Sequence, residues 1–342
     1  MPVAKRMSWL LAVIVLALAG WSAWWWLGAS AQQAAVEGWL AERAQAGWVA
    51  EGEVSVAGYP NRIDLTLEGL VLSDPPAGWA WTAPVFRTYM LSYRPDQVIA
   101  AWPGAHVLAT PEARVTAEAE TLQASAGFLP STTLEIDRAV LEAETLELSG
   151  EGLGSWTAGL ARGQLSLRRA EEERGRENAY DIVLDGAGLR PPEALTALFS
   201  DAAGEGLPAA VEEVSLDATA AFARPLDRVA LEKSDFRPEM IRLRRSIIRW
   251  GPLRIVGSGR VEIDAEGVPE GEIALEIREW RALLAAARST GALDGGAAAA
   301  LETGLGLIAA FSGQNGALEA PLRFSGGQTW LGPIPIGPSP RF

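Results

Sequence analysis

The 342-residue chain contains no cysteine. Disulfides, thiolate nucleophiles and cysteine metal sites are therefore excluded, although an exported chain can fold without bridges. Histidine occurs once, at His106, so a histidine metal centre or proton relay would rest on one side chain. Lysine is confined to Lys5 and Lys233, while arginine is plentiful. Basic groups are outnumbered, 29 Lys and Arg against 43 Asp and Glu, which leaves a net charge of −14. A surface of that sign argues against nucleic acid, whose phosphates need a basic face. It argues equally against broad attraction to anionic lipid headgroups.

Catalytic patterns are scarce as well. No Gly-x-Ser-x-Gly surrounds a candidate nucleophile, and no phosphate-binding glycine loop precedes a helix. Acidic residues mostly alternate with apolar ones, the pattern of a solvated sheet face. No carboxylate pair stands apart for acid–base work. His106 follows Trp102-Pro103-Gly104, a loop context that suggests an exposed or simply hydrogen-bonded ring. We expect no catalytic residue, no metal site, no cofactor and no enzymatic activity.

Apolar residues make up 49% of the chain, enough for a sizeable core. No charge interrupts the sequence between Arg6 and Glu37. Within that interval, Ser8 to Gly28 supplies about 20 apolar residues, the length that crosses a hydrocarbon core of about 30 Å as a helix. Lys5 and Arg6 set its N-terminus on the cytoplasmic side. Trp24, Trp25 and Trp26 suit the opposite interface, with wet indole N–H groups. Ala29-Ser30-Ala31 also has the small-residue pattern of a signal-peptidase site, but the apolar run exceeds the usual h-region of about 7–15 residues. The expected organisation is a membrane anchor over residues 1–31 and a β-rich body over 32–342 on the far side. Ala31 to Gln45 reads as a continuation of the helix, ended by Gly47.

Beyond Gly47 the period changes to two. Ile63 to Glu68, Leu134 to Asp137, Leu165 to Arg168, Val214 to Asp217, Val261 to Asp264 and Ile273 to Ile277 all alternate apolar with polar, as strands with one buried face do. Asp74-Pro75-Pro76 punctuates the runs, and Gly267 to Gly271 reads as a hairpin loop. Short helices are expected from Pro191-Pro192 to Phe199, over Glu279 to Arg288, and over Ala297 to Phe311, the last two separated by Gly291 and Gly295-Gly296. Glu171 to Glu177 and Ser200 to Pro208 read as connections. The fold class is mainly β (α+β). A compact sandwich or barrel and a large, curved antiparallel sheet with a few helices both fit the periodicity, and the second is our expectation.

Three groups of residues invite a functional reading. Arg242, Arg244, Arg245 and Arg249, with Arg237 and Arg254 nearby, could meet lipid phosphate or an acidic partner, or pair with the chain's own carboxylates. Trp79, Trp81, Trp102, Trp156, Trp250, Trp280 and Trp330 could line an apolar groove or pack in a core. Gly257-Ser258-Gly259 lies in an alternating strand, where glycine marks a bulge more often than a site.

Gly58-Tyr59-Pro60-Asn61-Arg62-Ile63-Asp64-Leu65 resembles a bacterial family catalogued as domain of unknown function 2125. Gly78 to Pro84, Leu91 to Pro95, Ala100 to Pro103, Trp250 to Leu253 and Leu331 to Pro338 extend the resemblance over nearly the whole chain. The resemblance implies an envelope protein, anchored as a single pass in the bacterial inner membrane with a periplasmic β-rich body. It also carries a distant similarity to AsmA-like proteins, whose curved sheets hold an apolar groove linked to lipid movement. Expected partners are the inner membrane and either phospholipid or other envelope proteins, the latter met through a sheet edge.

Overall fold

The computed structural model describes residues 2–152, 154–171, 176–203, 207–233, 236–289, 302–306 and 317–342. The expected Gly291 and Gly295-Gly296 breaks lie outside the described residues, as does most of the Ala297–Phe311 helix, of which 302–306 are helical. Parts of both expected connections, 172–175 and 204–206, also lie outside them. The chain is mainly β with antiparallel pairing and divides into two compact units.

The first unit is built on Met1–Glu118. It opens with α1, a helix over Pro2–Gln45 that is long and apolar enough from Met7 onward to cross a membrane. The helix passes residue 31 without a break and stops before Gly47, whose positive φ suits a residue with no Cβ. Strands β1 (Val49–Ala57), β2 (Arg62–Asp74) and β3 (Trp79–Leu91) follow as a meander. The far part of β3 pairs with β4 (Arg94–Ala101) and its start with β5 (His106–Ala109), which pairs in turn with β6 (Arg114–Glu118).

Alternation in β2 buries Ile63, Leu65 and Leu67, then changes phase and buries Leu70 and Leu72. The ladder to β1 slips at this point, and Gly69 adopts a positive φ. The resulting bulge keeps both leucine sets on one face. The last turns of α1 lay Val36 and Leu40 on that face, with Trp79, Trp81 and Phe86 beside them. Each fully buried leucine contributes about 1.5–3 kcal/mol, so this part of α1 is held by packing rather than by lipid.

Among the described residues the second unit is a ten-strand meander whose strands join in one continuous ladder. In chain order its strands are β8 (Ile136–Glu151), β9 (Trp156–Arg169), β10 (Ala179–Arg190), β11 (Glu213–Phe222), β12 (Pro238–Trp250), β13 (Leu253–Ile263), β14 (Pro269–Arg278), β15 (Leu318–Ser325), β16 (Gln328–Leu331) and β17 (Ile334–Pro338). A short strand, β7 (Thr121–Phe128), is shared between the units. Helices α2 (Glu193–Ala203), α3 (Arg228–Lys233) and α4 (Trp280–Ser289) interrupt the meander. The expected hairpin at Gly267–Gly271 joins β13 to β14. The Leu134–Asp137 run is only half a strand: Leu134 has a positive φ, and β8 begins at Ile136. Alternation over four residues cannot reveal a reversal at its first position.

Candidate functional site

Cross-strand pairing places every second residue of the β8–β17 meander on a common face. One row runs Ala139, Leu167, Ile182, Ala218, Leu243, Gly259, Ile273, Leu322 and Leu331 across nine strands. The next runs Leu141, Leu165, Leu184, Leu216, Ser246, Gly257, Leu275 and Ala320. A third runs Ala143, Gly163, Gly186, Val214, Ile248, Ile255, Ile277 and Leu318. Ser246 is the one polar side chain in the three rows.

This apolar face is covered unevenly. On β13–β15, Ile277, Leu318 and Ala320 pack with Trp280, Leu283 and Leu284 of α4. Leu283 also reaches a cluster of Val211, Trp250, Leu253 and Val214, and α2 lies beside α4. At the opposite end of β10, Tyr180 is fully buried, packs edge-on against Phe222 and accepts a hydrogen bond from the Leu226 N–H. Burial raises its phenol pKa, partly opposed by that N–H and by the Arg169 charge. Between these ends Leu141 and Leu165 remain 40% and 39% exposed, and Leu167, Ile182, Leu184 and Leu216 are half-buried. Four neighbouring strands at about 4.8 Å spacing make this partly exposed leucine strip about 14 Å wide among the described residues.

The opposite face is charged. A row there reads Arg138, Arg168, Asp181, Thr219, Arg242, Arg260, Glu272 and Arg323. Arg244 donates to Asp181 Oδ1 at 2.8 Å, to Asp217 Oδ1 at 2.7 Å through Nε, and to the buried Thr219 hydroxyl. Burial would raise the Asp181 carboxyl, but hydrogen bonds from Arg244 and Thr219 and the charges of Arg244 and Arg168 outweigh it. Asp181 therefore sits below the ordinary carboxylate range. Hydrogen bonds to Asp217 and Asp181 raise the Arg244 pKa further still. Arg249 pairs with Glu213 at 3.1 Å. Arg249, Arg254 and Arg278 stand directly opposite one another on β12, β13 and β14; with Arg245, Glu213 and Ile247 they line an open cavity of about 430 Å³.

The arginine cluster thus divides between internal ion pairs and a basic cavity lining. The ladder slips opposite Gly257-Ser258-Gly259, but the one extra residue belongs to β12, within Arg244-Arg245. The glycines accommodate the bulge rather than form it. His106 is not the exposed loop side chain expected from its neighbours. It opens β5, is buried, and stacks on Trp81 at 6.0 Å between ring centres. Desolvation lowers its pKa, with the carbonyls of Pro103 and Trp102 opposing, and neither ring nitrogen makes a well-formed hydrogen bond. A loop proline and glycine report chain direction, whereas burial here comes from Trp81 two strands away in sequence. Among the described residues no group of three or more His, Asp or Glu is placed to hold a metal ion.

The tryptophans are mainly core. Trp79 and Trp81 pack under α1, Trp102 lies against Phe86, and Trp250 donates to the Pro208 carbonyl at 2.7 Å. Trp280, the first residue of α4, is buried with Arg281 over its ring. Trp156 packs over Gly150, and Arg323 lies over Trp330.

The motif Gly58–Leu65 has a role that its own residues did not disclose. Gly58 to Asn61 form the turn between β1 and β2, with a cis Tyr59–Pro60 peptide. Trp21 Nε1 donates to the Pro60 carbonyl at 2.8 Å, and Trp25 Nε1 donates to the Arg62 carbonyl. Ser22 Oγ lies 2.8 Å from the Tyr59 hydroxyl. The Trp25 indole thus bonds to a backbone carbonyl, where a wet N–H is the expectation. Arg62 and Asp64, two apart on β2, form an ion pair at 2.7 Å.

Comparison with curated protein sequences gives no match. The profile of a family described as "Uncharacterized protein conserved in bacteria (DUF2125)" matches residues 25–340. That span covers nearly all of the chain, both units included, and the protein belongs to this family.

Proposed function

We propose that this protein is a non-enzymatic, membrane-anchored envelope protein that shelters acyl chains on the apolar face of its second unit. The observation that carries the reading is the set of three apolar rows, capped near α4 and near Tyr180 and, among the described residues, exposed at Leu141 and Leu165 with Leu184 and Leu216 half-buried beside them. An apolar strip left open to solvent is costly in a soluble monomer and marks an interaction site. A saturated acyl chain needs only such a strip, with no directed polar group. The AsmA-like resemblance points the same way.

α1 supplies the location. With Lys5 and Arg6 at its start it enters from the cytoplasm, crosses the inner membrane and delivers the body to the periplasm. Among the described residues, His106 is buried and stacked on Trp81 and Arg244 is internally paired, which suits a structural rather than a catalytic role for both.

A phospholipid with a photoactivatable acyl chain, incorporated into the membranes of cells making the full chain, tests the reading. Adducts mapped to Leu141, Leu165, Leu184 or Leu216 are expected. Adducts confined to α1 would refute it. Recovery of a defined protein partner in place of lipid would favour assembly through a sheet edge, although Pro335 and Pro338 deprive β17 of two donors for strand addition.

A further inference from the structure

Two hairpin turns of the first unit are bound to the part of α1 that lies inside the apolar run. The β1–β2 turn meets Trp21, Ser22 and Trp25, as described above. The β3–β4 turn, Ser92-Tyr93, is tied to its neighbour by the Ser92 N–H and hydroxyl, both donating to the Asn61 carbonyl at 3.0 and 3.2 Å. Trp24 Nε1 reaches the Ser92 carbonyl at 3.4 Å. The Trp25 and Tyr59 rings meet edge-on at 5.4 Å, and Gly28 brings the helix backbone against Ile63. The two turns and the helix thus form one hydrogen-bonded cluster.

Depth follows from charge and length. Lys5 and Arg6 hold the near end of the span at the cytoplasmic surface, and about 20 residues are needed from there to cross. The far boundary therefore falls near Trp26–Leu27. Trp21 lies six residues before Leu27, or about 9 Å along the helix axis. Turns bonded to Trp21, Ser22 and Trp25 cannot stand clear of the membrane while those residues are within it.

We propose that the β1–β2 and β3–β4 turns penetrate the far leaflet, seated from the lipid headgroup layer down to the upper acyl chains, with Tyr59 and Tyr93 as interfacial side chains. Both tyrosines are exposed, at 55% and 57%, and combine an apolar ring with a polar tip, the character enriched at that depth. This rests on α1 being the membrane span. The consequence is mechanical: the first unit meets the bilayer at the helix and at two turns, so it cannot swing freely about a single pivot.

The absence of cysteine makes the test direct. Tyr93→Cys, or Asn61→Cys on the other turn, introduces a unique thiol for an environment-sensitive fluorophore in the full chain. Labelled protein is reconstituted in vesicles of phosphatidylethanolamine and phosphatidylglycerol. Quenching by aqueous iodide is compared with quenching by a nitroxide attached near the lipid glycerol. Val15→Cys in α1 and Glu266→Cys in the exposed β13–β14 turn serve as references, and circular dichroism verifies the sheet. Positions 93 and 61 are expected to be quenched by the lipid nitroxide and to respond several-fold less to iodide than position 266. Iodide quenching equal to that at position 266, with position 15 still lipid-quenched, would overturn the proposal and leave the membrane helix intact. Loss of lipid quenching at position 15 would overturn both.

Discussion

Replacing Arg244 by methionine should destabilise the second unit, and the size of the effect can be worked from its partners. Arg244 is the shared donor to Asp181, Asp217 and Thr219. The three side chains Asp181, Arg244 and Asp217 are 24%, 38% and 45% exposed, so the network is neither fully buried nor free in solvent. Removing one partner of a buried pair costs about 3–5 kcal/mol and an exposed pair about 0–1. With Asp181 three-quarters covered and Asp217 well hydrated, the expected loss is about 2 kcal/mol, an interpolation between those limits. In a unit of this size that corresponds to a fall in Tm of about 4–8 °C, measured on the full chain in detergent by tryptophan fluorescence. The pH dependence provides the sharper check. Asp181 is held below its unfolded value, so its contribution is fully present above the unfolded carboxylate pKa of about 4 and is lost as pH falls through the folded value. The gap between wild type and Arg244→Met should therefore narrow in acid, and Asp181→Asn should remove much of the narrowing. A gap that stays constant from neutral pH down to about 3 would refute the assignment of the stability to this charge network.

The buried His106 should give a pH effect of the same sign in a higher window. Its folded pKa is lowered by desolvation, so the unfolded chain binds a proton first as pH drops below about 6.5, and stability falls there. His106→Phe, which keeps the stack on Trp81, should flatten that decline in thermal melts between neutral and mildly acidic pH. Gly259→Ala places a Cβ within 2.2 Å of the Glu272 carbonyl oxygen and 2.6 Å of Ile273 Cα. Because these are backbone atoms, the β13–β14 ladder must separate, with a loss of about 2–4 kcal/mol in denaturant midpoints. Gly257→Ala meets Ser246 Oγ at 2.9 Å and Leu275 Cδ2 at 3.2 Å, both side-chain atoms that can move, and should cost less than half as much in the same titration. Leu165→Asp on the open strip should reduce acyl-chain crosslinking while lowering Tm little, because that residue is already 39% exposed; Leu65→Asp in the first unit should unfold its core.

Much of the architecture was legible because it is written in local periodicity. An uninterrupted apolar run can only be a helix if it crosses lipid, and its continuation to Gln45 follows from the same spacing. Alternation at Ile63, Leu165, Val214, Val261 and Ile273 reports strands because side chains must point to opposite sheet faces. The proline and glycine pairs mark where a ladder cannot continue. The family motifs near Tyr59 and Leu331 were likewise visible as residues in order.

What the sequence left open depends on pairs distant in the chain. Whether an apolar row is buried or bare is decided by which helix lies over it, so Leu318 beneath α4 and Leu165 in the open carry the same local signal. Whether an arginine is neutralised depends on bulge geometry: the slip at Arg244-Arg245 brings Arg244 onto Asp217 and Asp181, 27 and 63 residues away. His106 is desolvated by Trp81, which its own Pro/Gly context could not foretell. The amino-acid order by itself determined that one apolar helix precedes a β-rich body. Only the tertiary structure bound that helix, through Trp21, Ser22, Trp24 and Trp25, to two hairpin turns, because hydrogen bonds across tens of residues follow from packing and leave no trace in local pattern.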